Sequence, residues 1–161
     1  MKKMDIGEAD ALYALYTRDY GKVVARAAGI RKNEAKLRGH LEPLSLSSVR
    51  LISGKNGERL TGASLVCFHE RMRMRDHTLR AAAYVARRTD EECFPGERDP
   101  GLWDLVMASF RALDREDVSE QEAADFMAGF ESRLSACLGH GGSAEGETYD
   151  ISPVAIARRM K

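Results

Sequence analysis

Apolar and polar residues follow a strand-like pattern in the first part of the chain and a helical pattern in the second. Two strands are predicted over residues 11–18 and 22–28, joined by the turn Asp19-Tyr20-Gly21, where glycine can take a positive φ. The β-favouring residues of this region are Tyr13, Tyr16, Val23 and Val24. A helix over residues 9–16 is the competing interpretation.

A second pair of strands is predicted further along. Residues 44–52 form a third strand, and Asn56-Gly57 is a strong hairpin signal that leads into a fourth strand over residues 59–66. The first 66 residues are therefore predicted to form a small antiparallel β-unit.

The apolar period becomes helical from about Glu70. In one predicted helix, a single apolar face is formed by Met72, Leu79, Ala82, Ala83 and Ala86. Asp99-Pro100 gives an N-cap and a first-turn proline for the next helix, whose apolar stripe is Trp103, Val106, Met107, Phe110 and Leu113.

A last long helix is predicted from a capping box that runs from Ser119 to Glu122 and is expected to stop at Gly139. Its apolar stripe comprises Ala123, Phe126, Met127, Phe130, Leu134, Cys137 and Leu138. Residues 140–148 are predicted to be a linker, and Ser152-Pro153 to begin one short final helix.

Charge is distributed unevenly, although the net charge is zero. Residues 1–88 carry 18 Lys/Arg against 9 Asp/Glu, and residues 89–161 carry 7 against 16, so the two parts are about +9 and −9. A basic first part suggests a polyanion partner. The alternative is that two faces of opposite charge attract each other within the fold.

Cysteine usage and hydropathy indicate the compartment. Cys67, Cys93 and Cys137 are far apart and form no C-x-x-C pair, which indicates reduced, partly buried thiols rather than a disulfide framework or structural zinc. No apolar run approaches the roughly 20 residues that cross a bilayer, and the N-terminus lacks the apolar stretch of a signal peptide. The expected location is the cytoplasm, with no membrane partner.

No converging set of catalytic residues is apparent. Asp5, Glu8 and Asp10 form a carboxylate cluster without a partner ligand, and Cys67-x-His69 with His77 lacks a fourth zinc ligand. Phosphate-loop and nucleophile-elbow motifs are absent from the sequence. We therefore expect a protein that is not an enzyme, with no catalytic residue, metal or cofactor; a small hydrolase using the three carboxylates is the least favoured alternative.

The basic residues between positions 18 and 38 are a more specific signal. This segment contains only two acids, Asp19 and Glu34, and seven cations: Arg18, Lys22, Arg26, Arg31, Lys32, Lys36 and Arg38. Lys22 and Arg26 are four apart, so on a strand they share one face. We predict that this set contacts nucleic-acid phosphates, with Tyr13, Tyr16 or Tyr20 as stacking platforms; the alternative is a solvated charged face.

Several motifs resemble one known family. The stretches D-I-G-E-A-D at residues 5–10, L-R-G-H-L-E-P-L-S at residues 37–45 and L-T-G-A-S-L-V at residues 60–66 are similar to the N-terminal domain of the bacterial DNA repair protein RecO. The similarity continues to Phe130-Glu131 and Leu138-Gly139-His140-Gly141, and so covers about 140 residues. The first two motifs are fairly specific in combination.

The resemblance implies a fold and a function. The fold is α+β, with an OB-like antiparallel β-barrel over residues 1–68 and an all-α domain over residues 69–161. The implied function is a recombination mediator that binds single- and double-stranded DNA, promotes strand annealing and helps load RecA. The implied protein partners are RecR and the tail of single-stranded-DNA-binding protein; an adaptor for these partners with weak or lost DNA binding is the alternative.

Two departures from the family pattern accompany the resemblance. Only Met1 to Met4 precede the D-I-G-E-A-D stretch, where members carry an apolar strand, so the first of five barrel strands lacks a counterpart and the barrel would have an open edge. Members often carry a four-cysteine zinc module after the last long helix, where this chain has I-S-P-V-A-I-A-R-R-M-K. The resemblance is thus to a compact version, and zinc is not carried over.

Overall fold

The computed structural model of the chain describes residues 2–6, 10–28, 38–139 and 158–159. The chain divides into two compact units. The first consists of Met1–Phe68, Glu92–Arg98 and Ala155–Lys161, and the second of His69–Glu91 and Asp99–Val154. Each unit is described separately.

The first unit is built on a β-sheet. Its strands are β1 (Lys2–Ile6), β2 (Asp10–Thr17), β3 (Gly21–Ala27), β4 (Leu46–Gly54), β5 (Gly57–Cys67) and the two-residue β6 (Arg158–Arg159). The strand order is β1-β2-β3-β5-β4-β6, and a short 3-10 helix, Arg38–His40, precedes β4. The β1–β2, β2–β3 and β4–β5 pairs are antiparallel, whereas β3–β5 and β4–β6 are parallel.

The two predicted hairpins are confirmed, and the competing helix over residues 9–16 is wrong. Strand β2 pairs with β3 from Ala11↔Ala27 to Thr17↔Gly21, and β4 pairs with β5 down to Gly54↔Gly57. Gly21 and Gly57 have φ of 61° and 92°, the left-handed region that glycine enters without a Cβ penalty.

Two expectations about the barrel need correction. The strand thought to lack a counterpart is present, because β1 pairs with β2 from Lys2↔Ala14 to Ile6↔Asp10. The unit is not wholly antiparallel, because Ala25 and Arg26 of β3 pair in parallel with β5. Among the described strands β1 and β4 do not pair, so the sheet is not closed into a barrel.

The core of this unit lies on one face of the sheet. Side chains alternate between faces along each strand, and the inward positions are apolar. The buried residues are Ala11, Tyr13, Ala25, Ala27, Leu41, Val49, Leu51 and Leu60. The strands are therefore amphipathic, and their other face does not contribute to this core.

A short segment from beyond the sheet packs on the beginning of β3. The Gly96 N–H donates to the Lys22 carbonyl oxygen at 3.1 Å, and Lys22 also forms an isolated bridge with Pro95. A Cβ added to Gly21 would lie 1.7 Å from the Glu97 carbonyl oxygen. Glycine at position 21 is thus required by both its φ and this close backbone contact.

The second unit is helical. Its helices are α1 (Glu70–Arg73), α2 (Asp76–Glu92), α3 (Pro100–Leu113) and α4 (Glu120–Cys137). The Asp99 side chain accepts from the Leu102 N–H at 2.9 Å, which confirms the predicted start of α3. Ser119 and Glu122 form the predicted capping box of α4.

The helix predicted from Glu70 is interrupted at Met74 and Arg75. Tertiary contacts account for the break, because the Asp114 carboxylate accepts from the Met72 N–H at 2.9 Å and Arg75 donates to the carbonyl oxygens of Arg115 and Glu116. The interruption resets the helical phase. Of the predicted face, Met72 and Ala82 are buried but Ala83 is exposed, and the buried residues of α2 are Thr78, Ala81, Ala82, Val85 and Thr89.

Helices α3 and α4 add further buried residues to those of α2. Val106, Met107, Phe110 and Leu113 are buried as predicted, whereas Trp103 is half-buried. On α4 the buried residues are Ala123, Phe130 and Leu134, and the predicted core position Cys137 is exposed. Cys67 and Cys93 are half-buried, as expected.

Two predicted features of the C-terminal part, the linker over residues 140–148 and the helix beginning at Ser152-Pro153, lie outside the described residues. No helix in the described ranges is both long and apolar enough to cross a membrane.

Candidate nucleic-acid interface

The face of the sheet opposite the core carries cations and exposed aliphatic residues from three neighbouring strands. On β3, Gly21, Ala25 and Ala27 are buried, whereas Lys22 is half-buried and Val24 and Arg26 are exposed. The predicted placement of Lys22 and Arg26 on one strand face is therefore confirmed. We call this surface the outer face; its residues are Lys22, Val24, Arg26, Arg50, Ile52 and Arg59.

Strands β4 and β5 supply the rest of the outer face. Arg50 and Ile52 alternate with the buried Val49 and Leu51, and Arg59 precedes the buried Leu60. Each is therefore directed away from the core. Val24 and Ile52 are each 46% exposed, so the outer face also presents two aliphatic side chains beside the cations.

The strand register brings these cations together. Arg26 of β3 is the pairing partner of Arg59 of β5, and Arg59 in turn pairs with Ile52 of β4. Neighbouring strands lie roughly 5 Å apart, so two arginines occupy adjacent positions on one face. Like charges in this arrangement repel each other, and an anion bound between them would relieve the repulsion.

The cations of the outer face differ in how they are neutralised. Arg26 donates from Nε to the Asp10 carboxylate at 2.9 Å, so its positive charge is balanced by a carboxylate on β2. Arg50 and Arg59 form no ion pair with any residue in the described part of the chain, and both are exposed. The charges of these two arginines are therefore available to an external anion.

The other predicted contact residues are placed differently. Arg18 lies in the turn between β2 and β3 and is half-buried. Arg31, Lys32 and Lys36 fall outside the described residues, and Arg38 begins the 3-10 helix. The structure thus places Lys22 and Arg26 on one face of β3, and phosphate contacts by Arg18, Arg31, Lys32, Lys36 and Arg38 stay a prediction.

One predicted stacking residue is corrected by the structure. Tyr13 is only 5% exposed and belongs to the core, because it lies on the same strand face as Ala11 and pairs with Ala25. It cannot stack on a base. Tyr16 pairs with Lys22 on the opposite face and is half-buried, as is Tyr20 in the following turn.

Residues 38–45, which precede β4, have a structural role. Leu41 is buried in the sheet core, and the His40 Nδ1 accepts from the Leu65 N–H at 3.3 Å. The His40 carbonyl oxygen accepts from the Ser47 hydroxyl at 2.6 Å. His40 and Leu41 of the L-R-G-H-L-E-P-L-S motif therefore anchor this segment to the sheet.

The candidate metal ligands named from the sequence have other partners. Asp5 lies 4.0 Å from the Lys3 ammonium, Asp10 pairs with Arg26, and Glu8 falls outside the described residues. The His77 Nε2 lies 2.8 Å from the Val118 carbonyl oxygen. These contacts give no support to a site built from the three carboxylates.

His69 is held inside the second unit. It is 4% exposed, its Nδ1 lies 3.5 Å from the Asp114 carboxylate, and its ring makes an edge contact with Phe110. Burial lowers the pKa of His69, although the Asp114 carboxylate acts in the opposite direction. His69 thus contacts Asp114 and Phe110, whereas His77 contacts the backbone at Val118.

Ion pairs within the second unit account for several of the arginines that follow residue 69. Arg88 donates from Nε to Glu131 at 2.8 Å, and the Tyr84 hydroxyl donates to the same carboxylate at 2.5 Å. The hydrogen bonds from Arg88, followed by that from Tyr84, lower the pKa of Glu131. Arg80 pairs with Glu120 at 3.4 Å. The alternative of opposite charges attracting within the fold is thus confirmed for these pairs.

The sequence interpretation missed Arg50 and Arg59. The clustered cations lie between residues 18 and 38, whereas these two arginines stand singly among strand residues. The signal that reveals them is alternation: Arg50 lies between Val49 and Leu51, and Arg59 lies beside Leu60. A cation that alternates with core residues is directed to the open face of an amphipathic strand.

Comparisons with known proteins agree with the motifs. Residues 1–68 match the family described as recombination protein O N terminal. The chain is 26% identical over 147 residues to the DNA repair protein RecO of Bifidobacterium adolescentis, covering 86% of this chain and 60% of the relative. It is 33% identical over 115 residues to the protein of the same name from Dehalococcoides mccartyi, covering 71% and 45%. The chain thus spans about half the length of these relatives.

Proposed function

Starting from the premise that this chain belongs to the RecO family of DNA repair proteins, we propose that its outer face binds the phosphate backbone of DNA during recombinational repair. Single- and double-stranded DNA are the proposed ligands, and strand annealing and help in loading RecA are the proposed activities. None of these steps requires the chain to break a covalent bond, so the proposed role is that of a mediator rather than an enzyme.

The observation that carries the proposal is the convergence of Arg26, Arg59 and Arg50 on an exposed sheet face. A cluster of cations attracts phosphates, and binding releases counterions from the nucleic acid. The aliphatic surround of Val24 and Ile52 offers contact to base faces. OB-like domains use such a basic, partly apolar sheet face for single strands, and the five strands β1 to β5 with their parallel β3–β5 contact support that assignment.

Annealing is proposed to follow from charge neutralisation. Two complementary strands repel through their phosphates, and cations on a shared surface reduce that repulsion. Arg18, Lys22, Arg31, Lys32, Lys36 and Arg38 are proposed to extend the basic surface beyond the sheet. RecR and the tail of single-stranded-DNA-binding protein are proposed as the protein partners.

The direct test is fluorescence anisotropy with a labelled single-stranded oligonucleotide over a range of salt concentrations. Replacing Arg50 and Arg59 with alanine should weaken binding and reduce the slope of log K against log salt by up to about 1.4, since each cation that neutralises a phosphate of a single strand contributes about 0.7. The matched control replaces Arg71 and Arg133, two exposed arginines of the second unit, and changes the net charge equally. Equal effects in the two double variants would contradict a site on the outer face.

A strand-annealing assay tests the activity and the loop together. The variant with Arg31, Lys32, Lys36 and Arg38 changed to alanine should anneal complementary oligonucleotides more slowly than the parent chain. An unchanged rate, together with full oligonucleotide binding, would remove the loop from the proposed surface.

The adaptor alternative rested on a missing barrel strand, and β1 supplies that strand. The alternative still predicts a distinct result. An adaptor without DNA binding should retain RecR or single-stranded-DNA-binding protein in nuclease-treated extract while failing to bind any oligonucleotide at low salt.

A further inference from the structure

Arg50 lies across the surface of the sheet instead of extending away from it. Its cross-strand partner on β5 is Gly62. A Cβ built on Gly62 would lie 3.4 Å from the Arg50 Cβ and 3.7 Å from both its Cζ and Nη1. The guanidinium group therefore folds back over the position where residue 62 has no side chain.

The backbone around Arg50 is also fixed. The Thr61 hydroxyl donates to the Arg50 carbonyl oxygen at 3.2 Å, and the strand pairing shifts register between Arg50 and Leu51. Such a bulge redirects the side chains beside it. Despite its position against the sheet, Arg50 remains exposed and pairs with no carboxylate in the described ranges.

An arginine held in this way offers more than a charge. Its guanidinium group is planar and weakly hydrated, and it stacks on flat π systems, which the compact ammonium of lysine cannot do. The neighbouring outer-face residue on the same strand is Ile52, whose side chain is 46% exposed and adds an aliphatic contact. A flat cation beside an aliphatic side chain fits the face of an unpaired nucleobase.

We propose that Arg50, positioned by Gly62, stacks on an unpaired base and thereby makes the outer face selective for single-stranded nucleic acid. This inference rests on the proposed DNA-binding function. A duplex keeps its bases stacked on one another, so it presents only phosphates to Arg50 and gains nothing from a planar group. A bidentate phosphate contact would also favour arginine over lysine, but it would do so equally for ligands with and without bases, so only a difference between those ligands reports stacking.

The test compares three labelled ligands of equal phosphate number: a single-stranded oligonucleotide, the same strand with abasic sites, and a duplex. The parent chain should bind the base-containing strand more tightly than the abasic strand. Arg50→Lys keeps the charge and should weaken binding to the base-containing strand by about tenfold, since one base stack is worth about 1–3 kcal/mol. Binding to the abasic strand and to the duplex should change by less than about twofold.

Substitutions at Gly62 test the positioning separately. Gly62→Ala places a Cβ at ordinary contact distance from Arg50, whereas Gly62→Val adds γ-methyl groups that displace the guanidinium group. Valine suits a strand, and a circular dichroism spectrum checks that the sheet is retained. Gly62→Val should reproduce the selective loss seen in Arg50→Lys, and Gly62→Ala should cause a smaller loss.

The possible failures are distinguishable. Equal weakening by Arg50→Lys for the base-containing and abasic strands, or no weakening for either, would overturn the stacking inference and leave the proposed DNA binding intact. A parent chain that binds none of the three ligands at low salt would overturn the proposed function and the stacking inference together.

Discussion

Gly21 is the position where a single methyl group should do the most damage to the β-unit. Its φ of 61° lies in the left-handed region, and a Cβ there would lie 1.7 Å from the Glu97 carbonyl oxygen. Since ordinary contact distances for a Cβ begin near 3.4 Å, the Glu92–Arg98 segment would have to move by more than an ångström. Gly21→Ala should therefore separate this segment from β3.

The magnitude follows from two separable costs. Alanine in the left-handed region costs about 1–2 kcal/mol. Displacing the segment removes the hydrogen bond from the Gly96 N–H to the Lys22 carbonyl oxygen, which contributes about 0.5–1.5 kcal/mol, and leaves the repulsion between backbone atoms to be relieved. We expect a total destabilisation of about 2–4 kcal/mol.

Gly57→Ala is the matched control. Gly57 has a φ of 92°, and a Cβ at this position would meet no atom within 4 Å. This variant should therefore incur only the conformational cost of about 1–2 kcal/mol.

Hydrogen exchange measured by mass spectrometry separates the two effects. Gly21→Ala should accelerate exchange in both β3 and the Glu92–Arg98 segment, whereas Gly57→Ala should accelerate exchange only around the β4–β5 hairpin. If the two variants lost equal stability and exchange in Glu92–Arg98 stayed at the level of the parent chain, the steric reasoning would be refuted.

Three further predictions concern side-chain contacts. Glu131→Gln removes the ion pair with Arg88 and should lower the unfolding free energy by about 1 kcal/mol near neutral pH. Because the ion pair lowers the pKa of Glu131, this difference should shrink as the pH falls below 4.5, the ordinary pKa of a glutamate. A difference that does not depend on pH would contradict the ion pair. Ser119→Ala removes half of a capping box and should lower the unfolding free energy by about 1 kcal/mol in a denaturant titration; an unchanged midpoint would exclude that contribution. Asp10→Asn removes a carboxylate beside Arg26 and should tighten oligonucleotide binding about threefold in low-salt anisotropy; unchanged or weaker binding would show that the charge of Asp10 does not oppose DNA.

Local signals predicted the element boundaries well because their chemistry is contained in a few residues. Asp99-Pro100 supplies an acceptor and a preset φ, and the Asn56-Gly57 pair forms the hairpin turn that its conformational preferences predict. Ser119 and Glu122 satisfy each other's neighbouring N–H groups. Each signal acts within four residues, so a single sequence is sufficient to interpret it.

Features that depend on distant contacts could not be predicted in the same way. The break at Arg75 requires carbonyl oxygens some 40 residues away, at Arg115 and Glu116. The parallel contact between β3 and β5 joins strands that are far apart in the chain, and β1 becomes a strand only through pairing with β2. Tyr13 was assigned to the wrong face because strand identity alone does not say which of two faces meets the core.

The positive charges of the two units differ in whether carboxylates neutralise them. Counted by unit, the first carries 16 Lys/Arg against 9 Asp/Glu and the second 9 against 16, so the units are +7 and −7. In the second unit, arginines such as Arg88 and Arg80 already have carboxylate partners, so their charge contributes little to an external ligand. On the outer face, Arg50 and Arg59 lack such partners among the described residues. At physiological salt, charges farther apart than roughly 8 Å are largely screened from each other. The attraction between this chain and a polyanion therefore depends on whether the cations near the ligand are neutralised, and a zero net charge is compatible with polyanion binding.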